Sequence, residues 1–240
     1  MEGVGGGQLH GGIQAAFATL PLVVASLPPG EEFRRHPVQT LARLLPRLED
    51  WLRALRDPVR GVGVVTGDKG QGKTTCVEEV VAGLRGRGVV VGGILAPGKL
   101  RDGRRWSIDL VDLCSGSRIP LASREPEATW QTLGSFWVNP EGLALGRQAL
   151  SPEVARGVHL VVVDEVGPWE LAGEGWSAAL DILVGMGIPL LVVVRKDLVG
   201  EVMTRFGLLG LPVWDVAQST PEEIADGAVS TLFNSDMERQ

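Results

Sequence analysis

Tyrosine is absent from this 240-residue chain, and cysteine and histidine number only two and three. Each shortage closes off a class of chemistry. Cys76 and Cys114 have no metal-ligand spacing and are too few for a disulfide framework, which suits a reducing cytoplasm. His10 and His36 precede the main domain and His159 opens a strand, so neither a zinc site nor a serine or cysteine hydrolase is indicated. Positive charge is also short: the formal net charge is -6, which argues against DNA or RNA as the main partner while leaving room for a local basic pocket. Long apolar runs are missing too. Gly11 to Leu27 is uncharged, but it is shorter than the roughly 20 residues of a spanning helix and is interrupted by Pro21. No Lys or Arg precedes it, so neither a secretory signal nor a membrane partner is expected, and the cytoplasm is the expected location.

What is present falls into two parts. Residues 1–60 read as an appendage, with a glycine-rich start. An amphipathic helix then follows from Pro37 to Arg56, with Val38, Leu41, Leu44, Leu45, Leu48, Trp51, Leu52 and Leu55 on one face. This helix is expected to pack on the main domain, and residues 1–60 are also where a protein partner would dock. From residue 61 to 240 strands and helices alternate. Strands are expected at Gly61–Thr66, Val89–Leu95, His159–Val163, Pro189–Val194 and Pro212–Val216. Helices are expected at Thr74–Leu84, Pro140–Leu150, Trp176–Met186 and Asp197–Phe206, and a last one opens at Thr220–Pro221. Trp106–Leu113 and Arg118–Ala122 read as an inserted β-hairpin turning at Ser115–Gly116. The alternation predicts an α/β fold, a mostly parallel sheet with helices on both faces.

Two of the four lysines, Lys69 and Lys73, fall in one glycine-rich stretch, Gly67-Asp68-Lys69-Gly70-Gln71-Gly72-Lys73-Thr74, which satisfies GxxxxGK[ST]. A loop that wraps a phosphate must turn successive N–H groups inward, which needs residues free of a Cβ clash, and the helix after it aims its positive end at the anion. Lys73 is expected on the β- and γ-phosphates, the Thr74 hydroxyl on Mg²⁺, and Thr75 on the α-phosphate side. Downstream, the apolar run before Asp164 and Glu165 delivers both carboxylates to the carboxyl end of a buried strand, where open α/β sheets bind ligands. Asp164 fits a Mg²⁺ contact and Glu165 a base that polarises water. Arg195 follows another buried strand, and it would face the γ-phosphate if that strand lies between the loop strand and the Asp164 strand. Arg101, Arg104 and Arg105 read as a solvated turn before the hairpin in preference to a lid. Trp130, Phe136 and Trp137 read as core residues in preference to a base platform.

The runs GDKGQGKTT, RGRGVVVGGILAP, RRWSIDLVDLCSG, GSFWVNPEGL and above all VVVDEVGPWEL make the chain similar to the thermophile nucleoside-triphosphatase family, whose animal members are called cancer-related nucleoside triphosphatases. The resemblance spans Gly61 to Val229. It implies a RecA-like P-loop fold and slow Mg²⁺-dependent hydrolysis of several nucleoside triphosphates. Position by position, Gly67, Gly70, Gly72, Lys73, Thr74 and Thr75 match the phosphate loop, and Asp164 and Glu165 the acidic pair. Trp169 stands where the family usually has methionine, and the first 60 residues have no counterpart. The expected function is therefore a nucleoside-triphosphatase with broad base tolerance. Two alternatives stay open on the residues: a kinase acting on a hydroxyl acceptor, and a nucleotide switch needing a partner. No residue that would read the base stands out.

Overall fold

In a computed structural model of the chain, residues 61–237 and the helical residues 34, 35 and 37–39 are described. The rest of the amphipathic segment expected to 56, and the apolar segment 11–27, lie outside the described residues. Among the described residues no helix is long and apolar enough to cross a membrane.

Strands β1 (Val62–Gly67), β2 (Val91–Leu95), β8 (Leu160–Val166), β9 (Leu190–Arg195) and β10 (Val213–Asp215) form the parallel half of one sheet, in the order β10-β1-β9-β8-β2. This order departs from that of the chain. It places β9 between β1 and β8 and so meets the condition set for Arg195. The central strands are apolar along their length because both faces are covered. Val62, Val65, Leu160, Val162, Leu191 and Val193 pack under α1 (Lys73–Gly86) and α7 (Pro221–Met237). Their alternates Val64, Val161, Val163, Leu190 and Val192 pack on the other face under α5 (Ser177–Gly185) and α6 (Val199–Arg205).

The insertion is larger than one hairpin. The expected pair is present as β4 (Arg104–Asp112) and β5 (Arg118–Ser123), and β6 (Gln131–Leu133) and β7 (Phe136–Val138) extend it. Helix α2 (Pro140–Ala149) returns the chain to the sheet through α3 (Pro152–Arg156). Strand β3 (Gly98–Arg101) follows β2 directly, and both pair with β4. The result is a long ribbon that runs on past the carboxyl end of the parallel strands. It turns at Asp102–Gly103, where φ is 52° and 71°. Positive φ at both central residues is the type I′ hairpin turn, for which Asp-Gly is a favoured pair. Arg101, Arg104 and Arg105 therefore belong to a hairpin of their own, and not to a loop before one.

Asp109 anchors the outer face of this ribbon. Burial pushes its carboxyl up, but hydrogen bonds from Lys99 and Arg118 outweigh that and leave it below its usual value. A folded-state pKa below the unfolded one contributes stability above the ordinary carboxylate range, and loses it as pH falls through the folded value. The Asp109→Asn protein is expected to be less stable than wild type at pH 7, with the difference shrinking as pH falls below about 4, where the unfolded-state carboxylate protonates before the folded one. Urea unfolding at a series of pH values reads both effects. Gly93 in β2 is the tightest backbone position: φ is 98° and an added Cβ would overlap the Val162 carbonyl oxygen in the neighbouring strand. Gly93→Ala is expected to cost at least about 3 kcal/mol or to prevent folding, measured as the change in the urea midpoint.

Candidate functional site

The glycine-rich loop leaves β1 at Gly67 and enters α1 at Lys73. Its shape depends on the glycines. Gly70 and Gly72 have φ of 80° and 82°, a region that disfavours residues with a Cβ. A Cβ on Gly67 would lie 2.8 Å from Gln71 Oε1, the atom that accepts a 2.6 Å hydrogen bond from the Asp68 N–H. Gly72 caps α1 with no side-chain acceptor, so the first N–H groups of the helix face the loop interior uncovered. Lys69 and Thr75 are exposed, while Lys73 is buried. Lys73 Nζ donates to the Gly67 carbonyl at 2.9 Å and the Asp68 carbonyl at 2.8 Å. Burial lowers its pKa. Glu165 and Asp164 pull it back up, and Arg105 and Arg195 push it further down. Asp164 and Glu165 near the end of β8, with Arg105 on Glu165, and Arg195 at the end of β9 lie at the same end of the sheet as the loop.

The acidic pair sits where β8 loses register with β9. Pairing is regular to Val163 and resumes at Val166, and the slip takes in Asp164 and Glu165. Glu165 has φ of 63°, rare for a residue with a side chain. Irregularities of this kind re-aim side chains at functional sites. Asp164 is wholly buried, and burial pushes its carboxyl up to about 6, against a backbone bond from Ala96 and the nearby Thr74 hydroxyl. The Ala96 N–H donates to Oδ2 at 2.9 Å, whereas Oδ1 has no hydrogen-bond partner. A buried carboxylate oxygen without a partner, next to a threonine hydroxyl, suits a hard cation that takes few protein ligands. Among the described residues no group of three or more His, Cys, Asp or Glu could hold a metal, so such a cation would rest on Asp164 and Thr74.

Arg195 ends β9 in register with Gly67, beside the loop. Its Nε is buried without a partner, and its Nη2 lies 3.4 Å from Asp197. Arg105 is the residue that sequence reasoning misplaced. It is half-buried, and its Nη1 pairs with both carboxylate oxygens of Glu165. Arg104 is exposed, and Arg101 packs over the Trp106 ring at 4.0 Å while pairing with Glu125. Trp130, Phe136 and Trp137 lie in or beside β6 and β7, in the antiparallel half away from the loop strand. His159 Nδ1 accepts from the Val90 N–H at 3.0 Å, a structural role as expected. Two further residues have partners that the sequence did not signal. Lys196 pairs with Asp215 at 2.8 Å and ties the ends of β9 and β10 beside the loop. Glu170, in the short helix α4 (Pro168–Leu171), is buried and accepts from the N–H groups of Gly167 and Trp176 at 2.8 and 3.3 Å. It fastens the turn that leaves the acidic pair.

A family model described as NTPase matches residues 63–225. The chain is similar to the nucleoside-triphosphatase THEP1 of Methanothermobacter thermautotrophicus, at 30% identity over 145 residues, covering 59% of this chain and 80% of that one. It is similar to the protein of the same name from Methanopyrus kandleri, at 35% over 133 residues, with 55% and 72% covered. Among solved structures, the solution structure of a human cancer-related nucleoside triphosphatase superposes with a TM-score of 0.54 at 23% identity, over 73% of this chain and 98% of that one. The crystal structure of THEP1 from Aquifex aeolicus gives 0.53 at 21%, over 71% and 98%. At such identities the two structures speak for the fold.

Glu170→Ala would leave two N–H groups, Gly167 and Trp176, without their acceptor. Leaving buried donors unsatisfied costs about 1–3 kcal/mol each, so the variant is expected to lose roughly 2–4 kcal/mol of stability in urea unfolding.

Proposed function

The chain belongs to the NTPase family, and on that premise we propose that it is a Mg²⁺-dependent nucleoside-triphosphatase, converting a nucleoside triphosphate to the diphosphate and phosphate with little regard for the base. One observation carries the reading. Three adjacent parallel strands, β1, β9 and β8, end in the phosphate loop, in Arg195, and in Asp164 with Glu165. In this reading an anion cradle, a compensating cation and a carboxylate base share one end of one sheet. The names of the relatives specify nucleoside triphosphates and no single base, which supports base tolerance.

In this reading the loop N–H groups and Lys73 Nζ hold the β- and γ-phosphates, with phosphate oxygens replacing the Gly67 and Asp68 carbonyls on the ammonium. The Thr74 hydroxyl and Asp164 Oδ1 would hold Mg²⁺, which when bound would neutralise negative charge on the phosphates. Its fit here rests on the unpartnered Oδ1. Glu165 accepts a proton from the attacking water as the water oxygen bonds to the γ-phosphorus. The bond from that phosphorus to the bridging oxygen breaks, and its electron pair leaves with the diphosphate. Arg195 offsets the negative charge that develops. The described cysteines are free thiols, which supports the cytoplasm as the working compartment. Residues 1–60 precede the matched region, and we assign any protein partner to them.

Purified protein with Mg²⁺ is expected to release phosphate steadily from each of ATP, GTP, CTP and UTP, and to stop when the metal is chelated. Glu165→Gln is expected to slow turnover about 10²- to 10⁴-fold while nucleotide binding persists. Binding without turnover in the wild type would overturn the hydrolase reading, and turnover of one base alone would overturn the tolerance.

A further inference from the structure

Arg105 has no task in the mechanism above, although it touches the residue on which that mechanism turns. Three features of the β3–β4 ribbon bring it there. The Asp102–Gly103 turn brings β4 back alongside β3. The pairing of β3 with β4 then slips between Lys99 and Leu100, where Lys99 faces Ser107 and Leu100 faces Arg105, so that Trp106 is an extra residue. Such a bulge rotates the side chain beside it. Across the ribbon stands Gly98, where a Cβ would lie 2.7 Å from Arg105 Nε and 3.2 and 3.3 Å from its Cδ and Cγ. The missing side chain at 98 is what lets the arginine stem cross β3. Arg124 Nε holds the Arg105 carbonyl at 2.9 Å from the other side.

The guanidinium engages both oxygens of Glu165, the atoms that would take the proton from water. A guanidinium fork binds a phosphate group as readily as a carboxylate. Glu165 lies near the end of β8, two strands from the β1 end that opens the loop, so the guanidinium on it sits at the same end of the sheet as the loop. Resting on the reading that the loop holds a nucleoside triphosphate, we propose that Arg105 is a triphosphate sensor that moves from Glu165 to the γ-phosphate when a triphosphate binds. The exchange frees the base at the moment the γ-phosphate is presented and brings one more positive charge to it. A diphosphate ends one group short, offers no competing anion, and leaves Arg105 on Glu165. Arg105 is thereby the residue that distinguishes substrate from product.

The test is the affinity of the full chain for a fluorescent non-hydrolysable triphosphate analogue and for the matching diphosphate. Arg105→Ala is expected to weaken the triphosphate about ten- to a hundredfold while leaving the diphosphate within about twofold. Gly98→Ala, which keeps the charge but crowds its stem, is expected to act in the same direction, and it carries the test if Arg105→Ala does not fold. Glu165→Gln removes the competing carboxylate charge and is expected to tighten the triphosphate, a gain that disappears in the Arg105→Ala, Glu165→Gln double variant. Equal losses for both nucleotides, no loss in either single variant, or a Glu165→Gln gain that survives without Arg105 would overturn the sensor. A wild-type protein that binds neither nucleotide would instead overturn the nucleotide reading on which it rests.

Discussion

Leu160 to Val163 and Leu190 to Val194 are covered on both faces by helices, and a strand in that position cannot carry a charge along its length. The first place where β8 can present a carboxylate is Asp164, and the first where β9 can present a cation is Arg195. Even there Asp164 has not escaped the core, and its pKa near 6 reflects the cost of holding a charge in so dry a place. The two-sided burial that stabilises the sheet thus also gathers its ionisable groups at one end. In the order β1-β9-β8 that end is a single cluster.

The β2–β4 ribbon joins this cluster at two neighbouring points. At its root the Ala96 N–H fixes one oxygen of Asp164, and further out Arg105 engages Glu165. These are consecutive residues, and the backbone between them is the irregular stretch with the left-handed Glu165. An αL conformation at a residue with a side chain costs about 1–2 kcal/mol, and it persists where surrounding contacts over-determine it. Here they are the β8–β9 ladder before the slip, the Glu170 cap after it, and the arginine on the side chain itself.

Most of the parallel half was legible because buried strands and amphipathic helices write themselves as apolar runs and three-to-four-residue spacings. The glycine-rich loop between β1 and α1 was legible because its turn restricts residue type at fixed positions. What escaped notice has other physical origins. Strand β3, GKLR, is exposed at all four residues and has no alternation to read. Strands β6 and β7 are three residues each. Arg105 meets Glu165 across 60 residues of sequence, and no local pattern encodes such a contact. The Asp102–Gly103 pair nonetheless carried a hairpin signal that would have turned the arginine cluster from a loop into a ribbon. Glu170 accepts from the Gly167 N–H three residues before it, but glycine supplies no cap hydroxyl, so the sequence form of a capping box is absent there.

The ribbon also has a mechanical character. From its root at Val111 to Arg105 it extends six residues along β4, roughly 20 Å at the rise of a strand. A tilt of about 5° at the root of an arm of that length displaces its tip by about 2 Å, enough to part a hydrogen-bonded pair. The root is also where Ala96 grips Asp164. Leverage therefore ties the position of the far cation to the packing of a single buried carboxylate.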